Sequence, residues 1–275
     1  MPSGKKVTKE QKLALVKRYN ESPISISECA KLFGLSAPTV IKILDEFEIK
    51  RYKKAQLFNP ELNESFFHEI DSEAKAYFLG LIIADGNVFI KRDGANRQAS
   101  ISITQTESDS YILETFLRLV HCNRTIGHDG RGTCQVAIRS DKMANDLSRY
   151  GVGPNKTFTA TLPIIHEEYM RHLIRGIMDG DGNITSTVTS LGKHKHAISF
   201  CGTHQLMQGI SDYVSASTGV TNVHVYDYND RHLSEIKWQS IYDVNAVGRW
   251  IYLDSTLFLK RKRNTFVEFQ KFYSL

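Results

Sequence analysis

The chain has 275 residues, 41% of them hydrophobic, and its formal net charge is +5. This length and apolar content suffice for a folded core, and no run approaches the roughly 18 apolar residues that a membrane span needs. The N-terminal stretch is polar and contains no apolar signal region, so we expect an intracellular protein. Its four cysteines are scattered without C-x-x-C spacing, which favours reduced thiols over a zinc site.

Positive charge is concentrated at the N-terminal end. Residues 1–60 contain 12 Lys and Arg against 6 Asp and Glu, a balance of +6, whereas the remaining residues contain 23 against 24, a balance of −1. Lysines that only solubilise a surface would be distributed more evenly. The segregation favours a basic module that binds a polyanion.

Residues 1–55 predict a small all-α helix-turn-helix domain. Thr8 and Gln11 form a capping box before a helix over 8–20, and Ser25 opens a short second helix. After a turn at 34–36, Ser36 caps a third helix. In the first helix Leu13, Val16 and Lys17 or Tyr19 fall at helical spacing, and the second carries Ala30, Leu32 and Phe33. We expect Val40, Ile41, Leu44 and Phe47 to form the buried face of the third.

The third helix of such a module enters the DNA major groove, which makes its exposed polar residues candidates for base contacts. The following basic run would contact phosphates, and residues 56–72 would form a linker. A helical bundle that binds another protein is the alternative, and the charge excess favours DNA. The candidate residues are Ser36, Thr39, Lys42, Arg51, Lys53 and Lys54.

An internal repeat occupies the rest of the chain. Residues 78–86 and 174–182 are apolar runs with a central glycine, and both lead into Asp-Gly-Asn about a hundred residues apart. Helix and strand patterns then recur in one order, with edge strands near 124–126 and 222–226. We predict an α+β fold of two pseudo-symmetric αββαββα repeats, 73–163 and 164–275, with the acidic cap 71–73 before the first motif.

The two motifs predict a pair of closely packed helices. Gly80 and Gly176 lack side chains and would let the helix backbones approach each other, which brings Asp85 and Asp181 together beneath a saddle of two sheets. Two adjacent carboxylates require a compensating cation, and oxygen ligands with room for water suit Mg²⁺. Paired acids and a divalent metal below a DNA-sized surface favour phosphodiester hydrolysis.

Polar residues alternate with apolar ones along the predicted strands and are candidates for DNA contacts. The alternative is the ordinary solvent face of an antiparallel sheet. These candidates are Arg92, Arg97, Gln98, Ser100, Ser102, Arg139, Lys193, Lys195, Tyr226, Tyr228, Arg231, Lys237 and Gln239.

Residues 79–86 (LGLIIADG) and 175–182 (RGIMDGDG) resemble the duplicated signature of LAGLIDADG homing endonucleases, in their single-chain form. The resemblance covers roughly residues 73–270, because 151–157 (GVGPNKT) and 252–262 (YLDSTLFLKRK) are similar to the family's basic closing segments. It implies that Asp85 and Asp181 bind Mg²⁺, or Mn²⁺ as a substitute, with the backbone carbonyls of Ala84 and Gly180.

The resemblance also implies roles for three further side chains. Lys156 and Lys262 would lie over the scissile phosphates, and Gln105 would order solvent. Gly202 stands in place of a second glutamine, so the two half-sites are unequal. At the first aspartate of the signature, which is more often structural, one copy has Ile83 and the other Asp179.

These observations predict a monomeric, Mg²⁺-dependent endonuclease that cuts a long asymmetric site in double-stranded DNA, encoded in an intron or a free-standing gene. The alternatives are a DNA-binding transcription regulator that has lost cleavage and an RNA-binding intron maturase. The histidines are interpreted as surface or core residues rather than metal ligands. They are His166, His172, His194 and His196.

Overall fold

The computed structural model describes residues 7–21, 24–52, 59, 61–93, 96–154, 156–221, 223–228 and 233–275. The chain divides into two compact units. The first comprises residues 1–62 and 121–123, and the second comprises residues 63–120 and 124–275.

In its described residues the first unit contains the helices α1 (Lys9–Glu21), α2 (Ile26–Phe33) and α3 (Ala37–Glu46). Their ends follow local rules: Ser25 forms a reciprocal capping box, and Gly34 ends α2 in the left-handed region at φ +63°. Ser36 then caps α3, which has a proline in its first turn. These helices begin and end close to the predicted positions.

Two predicted core residues of this unit are wrong. Leu13 and Leu32 are 48% and 60% exposed, respectively. The buried residues of α1 are Leu15 and the expected Tyr19, because these two lie one turn apart on the side that faces the other helices. The buried residues of the other two helices are Cys29, Ala30, Val40, Ile43 and Leu44, with Phe33, Ile41 and Phe47 only partly buried.

The second unit repeats one order of elements twice, which confirms the predicted α+β class and the αββαββα repeats. The first copy contains α4 (Glu73–Asp85), β1 (Gly86–Asp93), β2 (Asn96–Thr106), α5 (Ser110–Leu119), β3 (Gly127–His128), β4 (Thr133–Arg139) and α6 (Asp141–Ser148). The second contains α7 (Glu167–Asp181), β5 (Gly182–Val188), β6 (His194–Gly202), α8 (His204–Thr218), β7 (Tyr226–Tyr228), β8 (Leu233–Trp238) and α9 (Ile241–Tyr252), followed by α10 (Lys260–Tyr273).

Each repeat forms a four-stranded antiparallel sheet, in the order β1-β2-β4-β3 or β5-β6-β8-β7. The edge strands lie later than predicted, at β3 and β7. Register is equivalent in the two sheets, because Gly86 pairs with Ile103 and Gly182 pairs with Phe200. Positions that match by this register can therefore be compared between the repeats.

One face of each sheet is apolar and packs on helices. In β4, Cys134, Val136 and Ile138 are buried and alternate with exposed residues. Of the segment 56–72, predicted as a linker, residues 59 and 61–72 are described; Phe66 and Phe67 are buried, and both rings contact Phe116 of α5. In the described residues, no helix is long and apolar enough to cross a membrane.

Candidate catalytic centre

The two motif helices, α4 and α7, cross where each carries a glycine. A Cβ atom added at Gly176 would lie 2.8 Å from the Leu81 nitrogen and 3.0 Å from the Gly80 Cα. One added at Gly80 would overlap the Leu173 carbonyl oxygen. The helices touch through their backbones, so any side chain at the crossing would force them apart.

The close crossing brings together the ends of the motif helices. Asp85 and Asp181 are the last residues of α4 and α7. A Cβ at Gly180 would overlap that of Ala84 and lie 3.3 Å from Asp85 Oδ2. Desolvation raises the pKa of both carboxyls, and the charge of Asp85 further raises the pKa of Asp181. Carbonyl dipoles at the two helix ends add negative potential, so the pair attracts cations.

Lys156 lies in a short 3₁₀ turn (Lys156–Phe158) and caps the first motif helix. Its buried ammonium donates to the Ile83 carbonyl at 2.6 Å and to the Ala84 carbonyl at 3.0 Å. Burial lowers the pKa of Lys156, while Asp181 and Asp85 act in the opposite direction. The lysine thus satisfies carbonyls left open at the helix end and offsets the carboxylate charge.

Lys262 of α10 caps the second motif helix in the same way. Its buried ammonium donates to the Met178 carbonyl at 2.7 Å and the Asp179 carbonyl at 2.8 Å. It also reaches the Gly182 carbonyl at 2.6 Å and the Gly180 carbonyl at 3.4 Å. Burial lowers the pKa of Lys262 to about 8, whereas the carbonyl acceptors favour the protonated form.

Gln105 distinguishes the two halves of the centre. This buried side chain, near the end of β2, donates from Nε2 to Asp85 Oδ2 at 2.6 Å. By strand register Gly202 occupies the equivalent position near the end of β6. Within the part of the chain that the structure describes, no side chain donates a hydrogen bond to Asp181.

The oxygen atoms at this centre fit a magnesium ion. The candidate ligands are the carboxylates of Asp85 and Asp181 and the carbonyls of Ala84 and Gly180, which are hard donors. Each carbonyl oxygen has a second lone pair beyond the one used by a lysine. The described residues contain no cluster of three or more His, Cys, Asp or Glu side chains that could hold a metal ion.

Asp179 is buried inside the protein, where it connects structural elements next to the centre. This fully buried carboxylate accepts from the Tyr77 hydroxyl at 2.8 Å and from the Leu259 backbone amide at 2.7 Å, both at Oδ2. Burial raises its pKa to about 6. It connects the first motif helix to the chain before α10, whereas Ile83 is buried and apolar at the matching position.

An ionic network connects the two motif helices, and the sequence patterns did not predict it. Arg175, fully buried in the second motif helix, pairs with Glu73 of the first at 2.6 Å. Glu73 was assigned to a cap, but Ser72 is the N-cap residue and makes no side-chain capping bond. An arginine inside an apolar helical run was the available signal, since buried arginines require partners.

Four of the predicted strand candidates in the first repeat lie on the face of the sheet opposite its helices, namely Gln98, Ser100, Ser102 and Arg139. Gln98 and Arg139 are exposed, and Ser100 and Ser102 are partly exposed between buried neighbours. The main chains of positions 92 and 97 belong to β1 and β2, and the placement of their side chains is outside the description. Thr104 and Gln135 share this face, joined by a 3.0 Å hydrogen bond, and strict alternation would have identified them.

The second sheet presents a similar face. Tyr226 and Tyr228 on the edge strand are 59% and 48% exposed. Lys237 is exposed on β8, two residues after Glu235, which pairs with Tyr226. The Tyr228 hydroxyl donates to Glu235 at 2.7 Å. The other exposed candidates are Lys193, Lys195 and Gln239, while Arg231 lies outside the described residues.

In the first unit, some of the candidate DNA contacts around α3 are engaged in the helix cap and others are exposed. Ser36 and Thr39 share a 2.8 Å hydrogen bond within the helix cap. Lys42 and Arg51 are exposed. Lys53 and Lys54 lie outside the described residues.

The histidines show no metal-binding arrangement among the described residues. His172 Nδ1 lies 2.8 Å from an Arg175 nitrogen. The Tyr273 hydroxyl lies 3.1 Å from His194 Nδ1 and 3.0 Å from His196 Nδ1. The fourth, His166, is exposed.

Two αββαββα repeats with paired motif helices define the two-domain, single-chain LAGLIDADG fold, and this confirms the resemblance at the level of the fold. I-SmaMI bound to cleaved DNA is 11% identical with a TM-score of 0.53, over 71% of this chain and 87% of that one. I-LtrWI bound to its target DNA is 10% identical with a TM-score of 0.53, and the match covers 77% of this chain and 92% of I-LtrWI. No protein-family model and no curated protein sequence matches this chain.

Proposed function

We propose that this protein is a site-specific DNA endonuclease that hydrolyses both strands of a duplex with Mg²⁺, for which Mn²⁺ could substitute. The observation that carries the proposal is the juxtaposition of Asp85 and Asp181 at the ends of two motif helices, each helix capped by a buried lysine. The similar I-SmaMI and I-LtrWI structures are homing endonucleases bound to DNA, which supports the same class of substrate.

In this mechanism Asp85 and Asp181 would hold the metal with the carbonyls of Ala84 and Gly180. A bound divalent cation activates water for attack on phosphorus and stabilises the leaving oxygen. Gln105 fixes the Asp85 carboxylate through its 2.6 Å hydrogen bond and restricts solvent beside it.

Lys156 and Lys262 would contribute through their charge. Each ammonium is buried at the end of a motif helix, beside the paired carboxylates. Such a charge lowers the repulsion between the carboxylates and stabilises negative charge that develops on a phosphate. Because the ammonium groups are held by backbone carbonyls, their positions are set before DNA binds.

The two exposed sheet faces would bind a long target. Internal duplication supplies the pseudo-twofold symmetry that a dimer otherwise provides, so we propose a monomer and an asymmetric site. The basic first unit would add contacts at one flank, with Lys42 of α3 as its base-contact candidate. Encoding within an intron or a free-standing gene is consistent with this proposal.

The test is cleavage of a randomised duplex library by the purified full chain in Mg²⁺, with sequencing of the ends. Asp85→Asn and Asp181→Asn should retain DNA binding and lose cleavage. Asp71→Asn is the matched control, because Asp71 is an exposed carboxylate beside the first motif helix and forms a local ion pair with Lys75 at 2.7 Å.

Wild type should cut at a defined site, and chelation of the metal should stop cutting. If wild type and both variants bind DNA equally and none produces a break, the nuclease proposal is wrong. DNA binding alone would then support the regulator alternative, and selective binding of structured RNA would support the maturase alternative.

A further inference from the structure

All three nitrogen atoms of the Arg175 guanidinium group donate hydrogen bonds inside the protein. Nε donates to the Leu257 carbonyl at 2.6 Å, Nη1 donates to the Ile251 carbonyl at 3.0 Å, and Nη2 donates to Glu73 at 2.6 Å. The side chain is fully buried. Two of these partners lie in residues 251–259, which comprise the end of α9 and the stretch that joins it to α10, and which we call the connecting segment.

Glu73 holds the same segment from the other motif helix. Its carboxylate accepts from the Thr256 backbone amide at 2.7 Å, the Thr256 hydroxyl at 2.8 Å and the Leu257 amide at 3.0 Å. It also accepts from Arg175. One ion pair, formed between the two repeats, therefore anchors the connecting segment by its carbonyl and amide groups.

The connecting segment leads directly into the helix that carries Lys262. α10 begins at Lys260, one residue after the segment ends, and the Lys262 ammonium then reaches the carbonyls at the end of the second motif helix. A shift of the segment would move the start of α10 and with it this ammonium. The ion pair is thus placed to control the position of Lys262.

Among its described residues, the first repeat has no ion pair equivalent to that of Glu73 and Arg175. By motif register, Leu79 and Ile83 stand where the second repeat has Arg175 and Asp179, and both are buried apolar residues. Lys156 reaches its two carbonyls from a different local segment. A change at Glu73 should therefore affect one lysine and not the other.

We propose that Glu73 and Arg175 are positioning residues that hold Lys262 at its half of the catalytic centre and so support cleavage of one DNA strand. The effect on cleavage rests on the proposed function. The effect on the connecting segment does not, so the two can fail separately.

The test is strand-resolved cleavage, with a different label on each strand, alongside hydrogen exchange of the free protein. Glu73→Ala should slow one strand roughly tenfold or more, since small misplacements of catalytic groups are costly, and leave the other within about twofold. The slowed strand should be the one most affected by Lys262→Ala. Glu73→Gln, which keeps an acceptor oxygen, should recover part of the rate, and Asp71→Asn should change neither strand.

In hydrogen exchange, Glu73→Ala should accelerate exchange in residues 251–262 and leave residues 152–158 unchanged. Equal slowing of both strands, or faster exchange in both segments, would mean a general structural role and overturn the proposal. Unchanged exchange in 251–262 would overturn it too, even if the wild-type protein cuts no DNA. If wild type does not cut but exchange rises only in 251–262, the positioning role stands and the nuclease proposal fails.

Discussion

Substitution of Gly80 by alanine tests whether backbone contact between the motif helices builds the centre. The added methyl group would overlap the Leu173 carbonyl oxygen and lie 3.0 Å from the Ile177 nitrogen. Both are backbone atoms inside a helix, so neither can rotate away. The helices must separate at their crossing, which also moves Asp85 away from Asp181.

Overpacking of a buried contact costs about 1–3 kcal/mol and occasionally more. Here the cost should lie at or above the upper end, because the methyl group meets main chain rather than a flexible side chain. Alanine also favours a helix over glycine by about 1 kcal/mol. We therefore expect a net loss of about 2–4 kcal/mol in the free energy of unfolding.

Urea unfolding of the full chain measures that loss, and a cleavage assay measures the effect on the centre. Gly153→Ala is the matched control, because a Cβ atom there would meet no atom within 4 Å. Gly80→Ala should lose DNA cleavage even at temperatures where it remains folded. A Gly80→Ala protein within about 0.5 kcal/mol of wild type, the range of ordinary surface substitutions, would refute the backbone contact.

Four further predictions follow from individual contacts. Burial and Arg175 lower the pKa of His172 from 6.5 to about 4, so only the unfolded chain gains this proton between those values. The contribution of His172 to the free energy of unfolding should fall by up to about 3 kcal/mol on acidification across that window, measured as the difference between wild type and His172→Gln in urea titrations at each pH. Gly202→Gln would give the second half of the centre the glutamine that the first half has, so the two strands' cleavage rates should become more equal in a nicking assay. The protein has room for the change, because a Cβ atom at position 202 would lie 3.1 and 3.2 Å from the ends of two flexible side chains. Tyr77→Phe removes a 2.8 Å hydrogen bond to a buried carboxylate and should cost about 1–3 kcal/mol in denaturant unfolding. Lys42→Ala should weaken target binding by about 1–3 kcal/mol in a fluorescence titration, whereas Lys31→Ala, exposed outside the third helix, should not.

Sequence patterns determined the features that depend on neighbouring residues. The duplicated apolar run with its glycine predicted both motif helices, and the resemblance to the LAGLIDADG signature implied unequal halves, with Gln105 in one and Gly202 in the other. Capping residues located the helix ends of the first unit, because the side chain of Ser25 satisfies amides within its own first turn. Leu13 was misassigned, since a short helix offers several apolar arcs and packing against other helices selects one.

Only the tertiary structure decided the partners of the buried charges. Lys156 donates to a carbonyl 73 positions away in the chain, and Arg175 donates to one 82 positions away. Every residue has a carbonyl group, so the sequence carries no signal for which one a lysine or arginine will reach. That choice follows from the crossing of the motif helices and the path of residues 251–259, which bring together groups that are far apart in the chain.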